Sequence, residues 1–206
     1  SFNTHRFAVN ASTRKKNGFY TGLEAFYNYS DNNYNAFVMV PDPSTGNPSE
    51  QSAELFHNAY RGVYGEAFVG IKDKSWVKEL RFSLAYFDVE RQQQHPVLMT
   101  SPYGAALAKQ SSVIPTLRYV GSFFDDRLTI EQFAVANTLK FNTVDTVQGR
   151  YDWFGNFTPT PGNIGESGRP SLSDIRIQQI TSRTTASWQW NANNILSANY
   201  TMTSSK

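Results

Sequence analysis

The sequence predicts an all-β protein, an antiparallel up-and-down transmembrane β-barrel. Three observations carry this. Apolar and polar residues alternate with period two over most of the chain. The connections between alternating stretches are short and long in strict turn. Aromatic residues reach 15%, with 15 Phe, 11 Tyr and 4 Trp, while charged residues stand at 17%. A soluble domain carries roughly 25% charge. Mean hydropathy is nevertheless −0.49. A strand that shows lipid an apolar residue at every second position, and a wet interior at the others, has this composition.

Eight stretches alternate. Residues 6–12 set Phe7, Val9 and Ala11 against Arg6, Asn10 and Ser12. Residues 19–30 set Leu23, Ala25, Tyr27 and Tyr29 against Gly22, Glu24, Asn28 and Ser30. Residues 61–72 set Val63, Ala67, Val69 and Ile71 against Gly62, Tyr64, Glu66 and Gly70. Residues 77–91 set Leu80, Phe82, Leu84 and Tyr86 against Glu79, Arg81, Ser83 and Ala85. Residues 116–122 set Leu117 and Tyr119 against Thr116, Arg118 and Ser122. Residues 128–142 are apolar and change phase near Glu131, which predicts a bulge or a fully covered strand. Residues 178–190 set Ala186, Trp188 and Trp190 against Gln179, Thr181, Arg183 and Gln189. Residues 195–203 set Leu196, Ala198, Tyr200 and Met202 against Ser197, Asn199, Thr201 and Thr203.

Four connections are short, at 14–18, 72–76, 124–127 and 191–194, and three are long, at 31–56, 92–111 and 143–175. Short turns on one side and long loops on the other are the pattern of an outer-membrane barrel. The longest strongly apolar stretch, 36–40, is far too short for a membrane helix; it is expected to extend a strand above the membrane. Trp76, Trp188 and Trp190 lie next to short turns, where interfacial aromatics collect. With the short turns inside, both ends of the chain fall on the long-loop side, so the chain is expected to be an interior slice of a larger barrel.

Several classes of chemistry find no support. The absence of cysteine removes disulfides, thiolate metal sites and thiol nucleophiles. His5, His57 and His95 sit on separate segments without ligand spacing, so no metal site is expected. No Gly-x-Ser-x-Gly elbow occurs, and no catalytic residue is assigned. The run Arg14-Lys15-Lys16 is too short for a nucleic-acid stripe, and the net charge is only +2. The mid-strand carboxylates Glu24, Glu66, Glu79 and Glu131 read as a polar lumen wall that faces a plug or water in a large barrel; in a small closed barrel they would be buried and need partners such as Arg81, Arg118 and Arg183. The best ligand-binding candidates lie in the last long loop: Tyr151, Trp153, Phe154 and Arg169, where aromatics stand beside Gly and Pro. Packing of one loop on another is the competing reading of the same residues.

The segments Ser1-Phe2-Asn3-Thr4-His5-Arg6, Gly18-Phe19-Tyr20, Asn28-Tyr29-Ser30-Asp31-Asn32-Asn33-Tyr34, His57-Asn58-Ala59-Tyr60 and Val69-Gly70-Ile71-Lys72-Asp73-Lys74-Ser75-Trp76 resemble a TonB-dependent receptor of the Bacteroidetes-type outer membrane. The match covers the first half of the chain; the second half is similar only in style. The resemblance implies a barrel of about 22 strands with a plug, bacterial outer-membrane localisation and TonB-coupled import of a scarce ligand. It also implies as partners outer-membrane lipid, the TonB energy complex acting through a plug absent from this stretch, and a surface lipoprotein or other subunit. No cofactor is implied. Two other readings stand beside it: a passive porin or complete eight-stranded barrel, and a soluble β-sandwich or lectin-like binding module.

Overall fold

A computed structural model describes residues 2–42, 44–162, 165–167 and 171–206. Among these, the regular structure is all strand. The strands are β1 (His5–Arg14), β2 (Phe19–Ser30), β3 (Asn35–Pro41), β4 (Pro48–Glu54), β5 (Tyr60–Lys74), β6 (Val77–Gln92), β7 (Leu107–Phe123), β8 (Leu128–Asp145), β9 (Gly149–Tyr151), β10 (Phe157–Pro159), β11 (Ser171–Asn191) and β12 (Asn194–Ser205).

Eight of them form one antiparallel sheet in the order β1-β2-β5-β6-β7-β8-β11-β12, each neighbour being the next long strand in the chain. These are the eight predicted strands. β3 pairs with β4, and β9 with β10, as two small separate hairpins within the first and last long loops. The 36–40 stretch therefore builds its own hairpin and does not extend a strand of the main sheet. The tight turns place Gly18, Asp73, Asp125 and Asp126, residue types that tolerate positive φ, in that region, and Phe124 joins them despite its bulk.

Register puts the two faces in opposite chemical environments. Cross-strand partners share a face, so Val9↔Ala25, Leu23↔Ala67, Val69↔Phe82, Phe82↔Leu117 and Ala67↔Leu84 place the predicted apolar sets together. Ala186↔Ala198, Thr184↔Tyr200 and Trp188↔Leu196 continue that face to the far edge. The apolar face is not covered: Leu23, Phe82, Leu84, Leu117 and Tyr200 are all exposed. Glu24, Glu66, Arg81, Arg118, Glu131 and Arg183 fall on the other face.

Two sequence expectations are corrected. Pairing of β8 with β11 runs without a shift from Asp145↔Ser171 to Leu128↔Trp188, so there is no bulge at Glu131. The phase change arises because Phe133 and Val135 put apolar side chains on the polar face, half-buried rather than fully covered. Strands β7 and β11 also begin earlier than their alternation shows. Their loop-end portions carry polar residues on the outer face, Lys109 and Ser111 in β7 and Asp174 and Arg176 in β11. A period-two apolar signal vanishes there although the ladder continues. The sheet is open among the described residues: one side of β1 and one side of β12 has no neighbour, and every residue of both strands is exposed. No closed barrel is formed by these residues.

Candidate functional site

Two regions combine concavity with polar side chains: the polar face of the sheet and the layer formed by the long loops.

On the polar face, ionic groups link neighbouring strands. Arg81 donates to Glu66 at 2.7 Å, and the Tyr64 hydroxyl donates to the same carboxylate at 2.9 Å. Glu79 accepts from the Tyr20 hydroxyl at 2.8 Å, pairs with Lys72 at 3.0 Å and lies 3.5 Å from Arg118. The expected partners Arg81 and Arg118 are thus in place. Arg183 instead stands 6.0 Å from the Phe133 ring centroid. A depression of about 370 Å3 lies between Tyr64, Glu66, Arg81, Arg118 and Phe133. The pairs stay partly exposed, which suits a wet wall rather than a sealed core.

At the other end the three long loops pack as one layer. The β3–β4 hairpin brings Val38, Ala53 and Leu55 against Trp153 of the last loop, and Met99 of the middle loop rests on the same cluster. Tyr151 packs in tilted ring contacts against Phe157 at 4.9 Å and Phe56 at 5.9 Å between centroids. The Glu166 carboxylate, buried, accepts from the backbone N–H groups of Gly104 and Ala105, both at 2.7 Å. Asp145 in turn accepts from the N–H groups of Glu166 at 2.6 Å and Ser167 at 2.9 Å. Buried carboxylates here satisfy loop backbone that has no ladder partner.

This layer decides where the candidate ligand residues go. Trp153 is 4% exposed and belongs to the loop core, so loop-on-loop packing is its observed role. Tyr151 is held between two rings. Phe154, the next residue after Trp153, points the other way and is 54% exposed. The turn that separates them is set by Asp152, whose Oδ1 accepts from the N–H of Phe154 at 2.9 Å and of Asn156 at 2.8 Å. Burial pushes the Asp152 carboxyl up, but these bonds and that from the Asn156 side chain outweigh it and hold it below the usual range. Arg169, like Ser1, lies outside the described residues.

A second cavity, of about 280 Å3, lies at the loop end of β6, lined by Asn58, Arg91, Gln94, His95 and Tyr103 among others. Apart from His95, one of three scattered histidines, and Asn58, part of a segment that carries the family resemblance, none of these was marked by the sequence. Arg91 ends a strand like many surface arginines, and Gln94 is the last of three consecutive glutamines. No local pattern distinguishes Gln94 from Gln93; only burial does. Among the described residues, no group of three His, Cys, Asp or Glu side chains could hold a metal ion, and no helix is long and apolar enough to cross a membrane.

No protein-family model, curated protein or solved structure matches the chain.

Proposed function

We propose that this chain forms part of the wall and outer loops of an outer-membrane transport barrel, of the TonB-dependent receptor type, which captures a ligand at its loops and imports it. The observation that carries the reading is the eight-stranded meander with one exposed apolar face and one ionic face. Exposed apolar surface of this extent is unstable in water and is what a bilayer solvates.

The dimensions agree. Phe124 packs edge-on against Trp188 at the short-turn end of the sheet, Trp190 and Trp76 lie beside short turns, and Tyr27 and Tyr86 mark the apolar face near the loops. From Trp76 to Tyr86 is about 33 Å of extended chain; tilted by about 40°, it spans about 25 Å, the height of a barrel's apolar band. Unpaired edges cannot face hydrocarbon, because each free N–H and C=O would lie without a partner. The reading therefore requires further strands against β1 and β12. A complete eight-stranded barrel would need β1 and β12 to pair, and their shared exposure disfavours it. A soluble sandwich would need a second sheet over Phe82 and Leu84, and none of the described strands supplies it.

The test is the intact mass of the native polypeptide extracted from membranes in detergent, together with its flotation with lipid vesicles. Expected are a mass several times 23.3 kDa and co-flotation. A mass near that value overturns the large-barrel reading; a monodisperse species that needs no detergent overturns the membrane reading.

A further inference from the structure

We propose that the cavity at the loop end of β6 binds a carboxylate group on a small ligand. Arg91 lies on the polar face, paired in register with Tyr60 and Ala108. Neighbouring basic side chains are already neutralised on the opposite face: Arg61 pairs with Asp88 at 2.9 Å and Lys109 with Glu90 at 2.8 Å. The Arg91 side chain has no ion pair or hydrogen bond among the described residues, and the cavity it lines contains no carboxylate side chain.

Gln94 supplies the second, independent observation. Its side chain is 1% exposed, and its Nε2 has no hydrogen-bond partner. The orientation of the amide is determined by its other end: Oε1 accepts from the N–H of His57 at 2.6 Å, so the oxygen cannot trade places with the NH2. A buried amide donor without an acceptor has lost its water and gained no partner. Gln94 lines the cavity, so a ligand oxygen that reaches this nitrogen supplies the missing acceptor.

The walls are held in place before any ligand arrives. The Ala59 N–H donates to Gln92 Oε1 at 3.0 Å, the Gln93 backbone N–H donates to the Ala106 carbonyl at 2.9 Å, and the Tyr103 N–H donates to the Gln94 carbonyl. His95 spends its Nδ1–H on the Pro96 carbonyl at 2.8 Å and serves as wall rather than donor. The free donors are thus the Arg91 guanidinium, the Gln93 and Gln94 side-chain amides and the Tyr103 hydroxyl. A planar carboxylate fits the guanidinium fork with two parallel bonds. The inference deepens the transport reading by naming a ligand group, and rests on it only for the role of binding in import.

The experiment is isothermal titration of the full chain in detergent, at fixed ionic strength, with succinate, its neutral diamide and inorganic phosphate as probes. Expected is saturable succinate binding, weakened at least tenfold by Arg91→Gln and by Gln94→Glu, with no binding of the diamide. Gln94→Glu keeps the acceptor for His57 and replaces the donor by an oxygen, so an unchanged melting transition verifies the fold. Binding of the diamide as tight as that of succinate, no saturable succinate binding, or indifference to Arg91→Gln overturns the site. Phosphate binding tighter than succinate overturns the carboxylate assignment. Titration reads binding whether or not the chain sits in a larger barrel, so failure here leaves the membrane reading standing, and a small native mass leaves this site standing.

Discussion

Arg81 and Glu66, on adjacent strands, meet at 2.7 Å with the Arg81 guanidinium 4.0 Å from the centroid of the Phe68 ring. Directly opposite Glu66 on the other neighbouring strand is a second carboxylate, Glu24. Glu66 therefore gains one cation and faces one like charge, in a partly exposed setting where such pairs contribute little. Glu66→Gln is expected to change stability by less than about 1 kcal/mol, measured by urea unfolding in lipid vesicles. A loss of several kcal/mol would mean a sealed, dry interior.

The two faces respond oppositely to added charge. Leu84 is exposed on the apolar face, and Thr116, half-buried on the ionic face, lines the Glu66 depression. Leu84→Arg is expected to cost about 2–4 kcal/mol of folding into vesicles, the midplane cost of Arg in a barrel wall. Thr116→Arg is expected to cost about 1 kcal/mol or less, since Glu66 is at hand. Equal costs would show that the faces do not differ in solvent.

Trp153 is the largest side chain in the loop core. Trp153→Ala is expected to cost about 3–5 kcal/mol of local stability, visible as faster proteolysis within residues 146–162 while the sheet melts as before. Phe154→Ala, at an exposed tip, is expected to leave the proteolysis rate unaltered. Equal sensitivity of the two variants would place Trp153 outside the core.

Glu166 joins the middle and last loops through Gly104 and Ala105. Removing the carboxylate strands two backbone donors, at about 1–3 kcal/mol each. Glu166→Ala is expected to accelerate hydrogen exchange at the Gly104 and Ala105 amides by at least tenfold, leaving the amides of β6 protected. Unchanged exchange would show that the loops hold together without it.

Asp42 closes the β3–β4 turn. Its Oδ1 accepts from the Ser44 hydroxyl and N–H and from the Thr45 hydroxyl and N–H, which hold the carboxyl down at about 2, against an ordinary 3.8. A depressed folded value means that the carboxylate's stabilisation of the turn is complete above the ordinary value and lost as pH falls through about 2. Carboxyl-carbon NMR is expected to show this midpoint; a midpoint at the ordinary value would show that the turn does not hold the anion.

Alternation placed the eight long strands and separated their short connections from their long ones, because one face of the sheet is largely apolar and the other largely polar; β8, with Phe133 and Val135 on the polar face, is the strand where it was least clear. Strand ends above the apolar band were not legible. There both faces are polar, as at Lys109 and Ser111, and the backbone ladder leaves no mark on side-chain pattern. The ionic pair of Glu66 with Arg81 was legible as a set of mid-strand charges, but the failure of Arg183 to find a carboxylate was not.

The loops mark the boundary between the two kinds of information. Tyr151, Trp153 and Phe154 are equivalent as sequence, three aromatics in a Gly- and Pro-containing stretch. Folding buries Trp153, packs Tyr151 between two rings and leaves Phe154 exposed, because a turn at Asp152 sends adjacent residues to opposite sides. The cavity of Arg91 and Gln94 exists only because the middle loop folds back on His57. The sequence by itself determined an antiparallel sheet with an apolar and an ionic face, since period two is local and most of each long strand outside β8 follows it. Only the tertiary structure decided which loop residues are core, which are free and where a donor is left without an acceptor, since those depend on contacts between segments far apart in the chain.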